Sequence, residues 1–561
     1  MFIQFPLSLQ QLTNFLFSLY PYIVNCLFVL SIILIGINYK IFLRFLKQIH
    51  LLPWLFLLVI LVIFIFICVT QGLTLKIFNP SDAEWMEINA AHNLLNKSFN
   101  AQLPDRMVFP VILTFLFRIF GPNPLIVSVF NLFIAIISIC LIFILTQIIF
   151  GNEIASCLSA FIYAFAPITL AYTSLKMGDP TLVGLFLLLF LISLVLVLKY
   201  HKFSLHVLTL NYIALASLTK PEYLILVIPY CFAILLFKEY KFFTIKQIIL
   251  LILIFILFLL PMAKTVYHFK QVNSSGWCGY PSQTFHNGKF YYYSLSFLAP
   301  LNKIIKFFTT GRFSIETLIY DIPNFIQFWF SKTMFIVSLL IFGGLCFALR
   351  FDYKATLLIL CTFLCISIVY LADCIFYETR LAFPTYGIIV VFSGLIVGLL
   401  FKGILKNKQI IKTLIICTLV IILVLNWYFT DNKFDFFNNY RSLYINYNNL
   451  KNLLSQYQLE PDDSYLIATH HTEKYILNFW DYGAICLTDL ITEEYFQKNE
   501  KFWKQFQLPL EKGKNNYFIY SNDFCNGLPE TTQICNFVKD NYTKAIIGGN
   551  NEYTIYSLTF K

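Results

Sequence analysis

The hydrophobic positions of this chain form long uninterrupted runs instead of the short alternating patterns of soluble proteins. A run of about 20 apolar residues is long enough to cross a bilayer as an α-helix. The pattern predicts about twelve such spans: 19–37, 51–70, 124–149, 154–174, 180–198, 204–219, 221–237, 246–262, 333–349, 355–371, 383–401 and 412–429. Most of the chain is therefore predicted to be an all-α polytopic membrane protein.

The pattern changes after residue 430. Residues 431–561 hold 16 of the 29 acidic residues and 12 of the 40 basic residues, and they alternate short apolar strands with helical stretches. This alternation is typical of a small α/β domain. We therefore expect three parts: an additional N-terminal span with a cytoplasmic loop (1–50), a transmembrane domain (51–430) and a soluble extracytoplasmic domain (431–561).

Composition excludes several classes of protein. Of the 561 residues, 59% are hydrophobic, 18% are aromatic and only 12% are charged, whereas soluble chains carry about 25% charged residues. A soluble enzyme and a disordered protein are excluded as readings of the whole chain. A nucleic-acid-binding protein is excluded as well, despite the net charge of +11.

Basic residues in short loops predict the orientation of the spans. One set of loops carries Lys40, Arg44, Lys47, Lys199, Lys202, Lys238, Lys241, Arg350, Lys354, Lys402, Lys406 and Lys408. These loops are predicted to be cytoplasmic, which places loops 71–123 and 263–332 and the C-terminal domain on the outer side. Ten of the 13 acidic residues before residue 431 also lie on that side. Acidic groups at a membrane are costly and are usually functional.

The first outer loop, 71–123, contains two candidate interfacial helices. Ser81 or Asp82 can cap the first one, with Glu84 in its first turn. The second lies between Arg106 and Gly121, and its apolar run is too short to span the bilayer. An acidic pair at the start of an interfacial helix is a candidate for catalysis at the membrane surface.

Several short motifs follow one another along the chain: Asp82-Ala83-Glu84, Ala164-Phe165-Ala166-Pro167, Gly178-Asp179-Pro180, Thr219-Lys220-Pro221-Glu222 and Tyr377-Glu378-Thr379-Arg380-Leu381. In this order the chain resembles the polytopic lipid-linked-sugar glycosyltransferases of the GT-C fold. The resemblance covers roughly residues 51–430 and is to the group of protein O-mannosyltransferases, aminoarabinose transferases and RgtA/B/C/D-like bacterial enzymes. The first span is additional to the simplest family layout, and Leu381 stands where the family has tyrosine.

The resemblance implies a reaction and its partners. The family moves a sugar (a hexose or a pentose) from a polyprenyl-phosphate carrier to a lipid, glycan or protein acceptor, with inversion, at the outer face of the membrane. Asp82 matches the catalytic aspartate that acts as general base, and Glu84 is a candidate second acid. The implied location is the plasma (inner) membrane, with the active site and the C-terminal domain outside the cytoplasm.

The remaining candidate residues carry charges at the predicted outer ends of other spans. Arg380 matches the arginine that binds the donor phosphate, and Lys220 is a second candidate cation. Asp179 and Glu222 are candidates for orienting Arg380, binding sugar hydroxyls or holding a divalent cation. The metal dependence stays open at this point.

Other readings remain for several of these features. Capping of a helix or a turn is an alternative to a functional role for Asp82 and Asp179. Arg380 could likewise extend to the membrane surface as an anchor. The chain as a whole could be a transporter or flippase of polyisoprenoid-linked glycans, or an O-antigen polymerase or ligase. Cys525 and Cys535 are ten residues apart, a separation that permits a disulfide without requiring one.

Overall fold

The structure is a computed structural model that describes about three fifths of the chain in separate ranges. The described residues are 20–47, 49–73, 91, 94–95, 108–123, 125–174, 178–242, 244–259, 284–286, 289–291, 322–323, 325–327, 329–330, 335–371, 379–402, 450, 452–460, 463–468, 484–486, 514–526 and 529–559. The predicted span 412–429 lies outside them. The segments 474–480 and 493–507 of the predicted α/β domain also lie outside them.

The chain divides into two compact units. One consists of Met1–Thr74, Asp105–Ile112 and Leu125–Lys433. The other consists of Leu75–Pro104, Leu113–Pro124 and Phe434–Lys561.

Helices dominate the described residues up to 402. In chain order they are α1 (Tyr20–Ile37), α2 (Tyr39–Lys47), α3 (Leu51–Ile67), α4 (Val108–Phe120), α5 (Leu125–Phe150), α6 (Glu153–Phe165), α7 (Pro167–Ser174), α8 (Gly178–Tyr200), α9 (Phe203–Thr219), α10 (Val227–Leu236), α11 (Ile245–Leu259), α12 (Phe335–Ala348), α13 (Tyr353–Leu371), α14 (Thr379–Ile389) and α15 (Leu395–Lys402). A short hairpin pairs β1 (Thr284–His286) with β2 (Lys289–Tyr291).

Four of the described helices are long and apolar enough to cross a membrane: Leu51–Thr70, Leu125–Phe150, Pro180–Tyr200 and Tyr353–Leu371. Shorter apolar helices of 10–17 residues accompany them. The protein is therefore an integral membrane protein, while the number of twelve spans stays a prediction. The short apolar segment expected between Arg106 and Gly121 is α4, and Gly121 follows it with φ +81°, a conformation that glycine adopts without strain.

Proline interrupts one of the predicted apolar runs and separates two others. The predicted span 154–174 is two helices, α6 and α7, that meet at Ala166-Pro167. The residue before a proline is pushed out of helical geometry, and Ala166 has φ −64° and ψ 136°. The same effect separates α9 from the 3₁₀ helix Pro221–Leu226.

Helix α8 lies at the centre of the first unit, where it packs against α5, α9 and α14. Nearly all of its apolar side chains are buried, as expected for a helix that is hydrophobic on every face. Helix α3 differs, because it exposes Leu55, Leu58 and Val62. Lipid chains would cover such a surface in a bilayer.

The C-terminal residues form a five-stranded mixed sheet, which confirms the predicted small C-terminal sheet. Its strands are β3 (Ser464–Ala468), β4 (Ala484–Cys486), β5 (Asn516–Ser521), β6 (Thr543–Gly549) and β7 (Tyr553–Leu558), in the order β4-β3-β5-β7-β6. Strand β3 is parallel to both β4 and β5, and β7 is antiparallel to both β5 and β6. Two helices follow β5: α16 (Asn522–Cys525) and α17 (Pro529–Tyr542).

Alternating side chains give this sheet a hydrophobic cluster on each face. One face packs Leu466, Phe518 and Tyr556 with side chains of α16 and α17. The other face packs Tyr465, Ile519 and Ile555 with Leu450, Leu453, Leu454 and Leu459. The sheet is thus covered on both sides, as its period-two apolar pattern requires.

A disulfide joins Cys525 of α16 to Cys535 of α17, with Cα atoms 5.7 Å apart. Both residues are fully buried in the cluster between the sheet and α17. The bond therefore fixes the two helices to each other inside the hydrophobic core.

Loss of this disulfide is expected to lower the free energy of unfolding of the C-terminal domain by about 2–4 kcal/mol. The loss is measured by hydrogen–deuterium exchange of the full-length protein. The amides of β5 and β7 should exchange faster in Cys525→Ser/Cys535→Ser than in the wild type. The control is Cys361→Ser, which removes a free cysteine of α13 and should leave these strands unchanged. Unchanged exchange in the double variant would contradict the prediction.

Candidate active site

Lys220 occupies the corner between α9 and the 3₁₀ helix Pro221–Leu226. Its backbone is extended, with φ −144° and ψ 113°, because Pro221 disfavours helical geometry at this position. The Lys220 amide still donates to the carbonyl of Ala216 at 2.8 Å, and its carbonyl accepts from the amide of Tyr223 at 3.0 Å. The corner is therefore held by hydrogen bonds on both sides.

The side chain of Lys220 is buried, with only 5% of the residue exposed. Its Nζ lies 5.9 Å from the ring centroid of Tyr370, near the end of α13. A cation at this distance is attracted by the negative face of the ring. The structure thus holds a positive charge inside the protein beside an aromatic surface.

Tyr370 also contacts the segment that follows Lys220. Its hydroxyl donates a hydrogen bond to the Tyr223 hydroxyl, and the two rings meet edge to face with centroids 5.9 Å apart. Both tyrosines are almost completely buried. The pair therefore fastens the end of α13 to the corner that carries Lys220.

Glu222 is the second charged group of this corner and is also 5% exposed. Removing a carboxylate from water costs several kcal/mol unless other groups compensate it. A buried lysine and a buried glutamate only two residues apart are consequently an unusual arrangement for a purely structural turn. Lys220 and Glu222, together with Tyr223 and Tyr370, are called the buried corner below.

The buried corner lies at the end of the helices that is remote from the basic loops. Helix α9 begins directly after Lys202 and ends directly before Lys220. In α13, Lys354 lies in the first turn and Tyr370 in the last turn. At 1.5 Å per residue, Lys354 is about 24 Å along α13 from Tyr370. The corner is therefore on the side that the sequence predicts to be outer.

The backbones of two other candidates lie at the same end. Asp179 is in the first turn of α8, and Arg380 is in the first turn of α14. These helices approach closely, because an added Cβ on Gly184 would lie 3.9 Å from the Cα atom of Pro384. Four candidates thus share one end of the helical unit: Asp179, Lys220, Glu222 and Arg380. The side chains of Asp179 and Arg380 are outside the description.

The acidic pair of the first outer loop, Asp82 and Glu84, lies outside the described residues. Within the part of the chain that the structure describes, no group of three His, Cys, Asp or Glu side chains could hold a metal ion. A divalent cation at Asp179 and Glu222, one of the roles that the sequence leaves open for them, stays a prediction.

Tyr223 and Tyr370 are not among the candidate residues predicted from the sequence. Tyr223 directly follows the Lys220-Pro221-Glu222 motif, so its position could have singled it out. Tyr370 sits at the end of an apolar run, and nothing in the local sequence distinguishes it from a core tyrosine. Only the packing of α13 against the 3₁₀ helix identifies it.

Residues 104–267 match the family model described as dolichyl-phosphate-mannose-protein mannosyltransferase. The matched range includes α4 to α11 and the buried Lys220 and Glu222. A search of curated protein sequences finds no significant match to the chain.

Solved structures match over most of the chain. The chain is similar to ArnT from Cupriavidus metallidurans bound to undecaprenyl phosphate, with a TM-score of 0.52 and 10% sequence identity, over 88% of this chain and 97% of that chain. The chain has the GT-C glycosyltransferase fold. The same enzyme in the apo state matches with a TM-score of 0.48 and 11% identity, over 88% and 97% of the two chains. The GT-C resemblance inferred from the ordered motifs is confirmed at the level of the fold.

The GT-C fold explains why the described candidates share one end of the helical unit. They are far apart in the sequence, between residues 179 and 380, and each stands at a helix terminus. Helices that run antiparallel bring alternate termini together, so a membrane-surface site can be built from short segments of several helices.

Proposed function

We propose that the protein is an inverting glycosyltransferase that moves a sugar from a polyprenyl-phosphate carrier to a lipid, glycan or protein acceptor at the outer face of the membrane. The observation that carries the proposal is the buried Lys220 beside Tyr370, at the end of the bundle remote from the basic loops. A fixed cation at this depth suits the phosphate of a carrier whose lipid tail lies in the membrane. The fold similarity to ArnT bound to undecaprenyl phosphate supports the same donor class.

In the proposed reaction, an acceptor hydroxyl oxygen attacks the anomeric carbon of the sugar. The bond between that carbon and the phosphate oxygen breaks, and the polyprenyl phosphate leaves with the bonding electrons. Asp82 accepts the proton of the hydroxyl as general base, and Glu84 assists as a second acid. Attack opposite to the leaving group inverts the anomeric configuration.

The leaving phosphate gains negative charge as its bond to the sugar breaks. Lys220 and Arg380 are the proposed cations that stabilise this charge, Lys220 as a point charge and Arg380 through its planar fork. Asp179 and Glu222 are proposed to orient these cations or to bind sugar hydroxyls. The preorganised burial of Lys220 would keep its amine from being fully solvated between turnovers.

The direct test is an assay of the purified protein with polyprenyl-phosphate-linked sugars of several classes. Mass spectrometry compares the membrane glycolipids, glycans and glycoproteins of cells that have the protein with those of cells that lack it. The difference identifies the natural product. The proposal expects a product one sugar heavier and release of free polyprenyl phosphate. Movement of the intact carrier-linked glycan across vesicles without bond cleavage would instead support a transporter and overturn the proposal.

Tyr370→Phe is expected to weaken donor binding by about fivefold, which corresponds to one hydrogen bond of about 1 kcal/mol. The ring beside Lys220 remains in this variant, and the hydrogen bond from Tyr370 to Tyr223 is lost. Steady-state kinetics should show a raised KM for the donor. Tyr230→Phe is the matched control, since it removes a tyrosine hydroxyl that lies 3.0 Å from Nδ1 of His206. His206 is about 20 Å along α9 from Lys220. Equal kinetics in the two variants would contradict a role for the tyrosine pair.

The topology is also testable. An impermeant thiol reagent should label Ala101→Cys and Lys512→Cys in intact cells, in a protein whose free cysteines have been replaced. Lys241→Cys, in a predicted cytoplasmic loop, should react only after the membrane is permeabilised. Labelling of Ala101→Cys or Lys512→Cys that requires permeabilisation would show that the orientation is wrong.

A further inference from the structure

Three short basic segments meet at the end of the helical unit opposite to the buried corner. They are far apart in the sequence but are joined by side-chain contacts. Together they are called the basic patch, and they comprise residues 199–203, 237–242 and 349–354.

One hydrogen-bond contact and one ion pair join the segments of the basic patch. Nδ1 of His201 lies 2.7 Å from Oε2 of Glu239, which links the first segment to the second. Nζ of Lys199 lies 3.9 Å from Oδ2 of Asp352, which links the first segment to the third. The three segments therefore form one surface.

An aromatic contact joins the remaining pair of segments. Nζ of Lys354 lies 5.4 Å from the ring centroid of Phe237, and the Phe237 ring meets Tyr353 at a centroid distance of 6.4 Å. Each segment thus contacts both others. A headgroup bound to this surface would meet side chains from α8, α10 and α13 at once.

The acidic side chains of the patch are both engaged with its interior. Glu239 is only 1% exposed and contacts His201. Asp352 accepts a hydrogen bond from the amide of Ala355 at 3.0 Å and thereby caps α13. These two are the acidic residues in the three segments. The Asp352 side chain keeps 23% exposure, and each carboxylate has a partner within the protein.

The exposed charges of the patch are consequently positive. Lys202, Lys238, Lys241 and Arg350 are all exposed. Four exposed cations on one surface, beside one buried and one partly exposed carboxylate that are both engaged within the protein, attract anions. The ligand chemistry that fits is a phosphate diester or another compact anion.

Exposed apolar side chains border the same patch. Leu235 and Leu236 at the end of α10 are 68% and 51% exposed, and Ile245 at the start of α11 is 76% exposed. Leu349 and Phe351 flank Arg350 with 44% and 45% exposure. Such a border suits a ligand that has acyl chains, whereas a free phosphate ion would gain nothing from it.

We propose that the basic patch binds the headgroup of an anionic phospholipid from the leaflet on this side of the membrane. Lys202, Lys238, Lys241 and Arg350 contact the phosphate diester, and the bordering leucines, Ile245 and Phe351 contact the acyl chains. Through the hydrogen bond of His201 to Glu239 and the ion pair of Lys199 with Asp352, one lipid molecule stabilises the relative positions of α8, α10 and α13. This site is separate from the proposed donor site and does not depend on the reaction assigned there.

The test compares lipids on the full-length purified protein. Native mass spectrometry should show preferential retention of phosphatidylglycerol over phosphatidylcholine, and phosphatidylglycerol should raise the Tm more than phosphatidylcholine does. In Lys202→Gln/Lys238→Gln/Lys241→Gln/Arg350→Gln, the apparent affinity for phosphatidylglycerol should fall by about two to three orders of magnitude, since each of the four basic residues near an anionic surface contributes roughly fivefold. High salt should reduce the preference of the wild type as well.

Two controls make the result decisive. Lys514→Gln/Lys544→Gln removes exposed cations of the C-terminal domain and should retain the wild-type preference. Inorganic phosphate added without lipid should not raise the Tm; an equal rise would favour a free-anion site and overturn the lipid assignment. If the quadruple variant does not fold, the comparison of the two lipids on the wild type still tests the proposal. Equal retention of the two lipids and equal Tm values with them would overturn it.

Discussion

Asp82→Asn is expected to lower turnover by about 10²–10⁴-fold while donor binding survives. General-base catalysis contributes a rate factor of this size, and asparagine keeps the shape of the side chain but cannot accept the proton. The donor phosphate is held by cations elsewhere in the proposed mechanism, so its affinity should change little. Turnover and donor binding are measured on the same purified variant with a carrier-linked sugar.

The alternative role of Asp82 as a helix cap gives a different outcome. Asparagine caps a helix about as well as aspartate does, so a capping role predicts normal expression and normal turnover in Asp82→Asn. Glu84→Gln is the companion variant, with a smaller expected loss because Glu84 assists the base. Wild-type turnover in Asp82→Asn would remove the catalytic assignment.

Lys220→Met is expected to weaken donor binding by roughly ten- to hundredfold. A hydrogen bond to a charged group contributes about 1.5–3 kcal/mol, and each 1.4 kcal/mol corresponds to a factor of ten in affinity. Methionine fills a similar volume but has no charge. Lys220→Arg keeps the charge and should recover part of the loss. Equilibrium binding of a polyprenyl-phosphate analogue measures the effect.

Lys354→Met is the matched control for Lys220→Met. Lys354 also places its Nζ over an aromatic ring, that of Phe237, but at the opposite end of α13. Its replacement should leave donor affinity unchanged if the phosphate binds at the buried corner. Equal losses in the two variants would indicate a general effect on folding and would exclude Lys220 as a phosphate ligand.

Long elements were predictable from the sequence because their signal is distributed over many residues. Helices α5 and α8 follow uninterrupted apolar runs, and the sheet strands follow short apolar segments between turns. The break at Lys220-Pro221 was also predictable, since a proline restricts the residue before it. The prediction failed at Ala166-Pro167, where the same local effect divides the predicted span 154–174 into α6 and α7.

Contacts between distant segments could not be predicted in this way. Tyr370 is one aromatic residue among many in an apolar chain, and its contact with Tyr223 depends on how α13 packs against the 3₁₀ helix. The pairing of Cys525 with Cys535 stayed open for the same reason, because spacing alone does not fix two side-chain directions. The roles of Asp82 and Glu84 rest on the family resemblance and stay predictions.

The hydrogen bond between Tyr223 and Tyr370 has a consequence for biogenesis. It joins two residues 147 positions apart in the chain. At a synthesis rate of about 5–20 residues per second, roughly 7–30 s pass between the addition of Tyr223 and that of Tyr370. During that interval the membrane must accommodate Lys220 and Glu222 before the ring of Tyr370 exists. Quality-control proteases that sample incompletely inserted chains would meet the charged corner in this window, and a slow insertion of α13 would lengthen it.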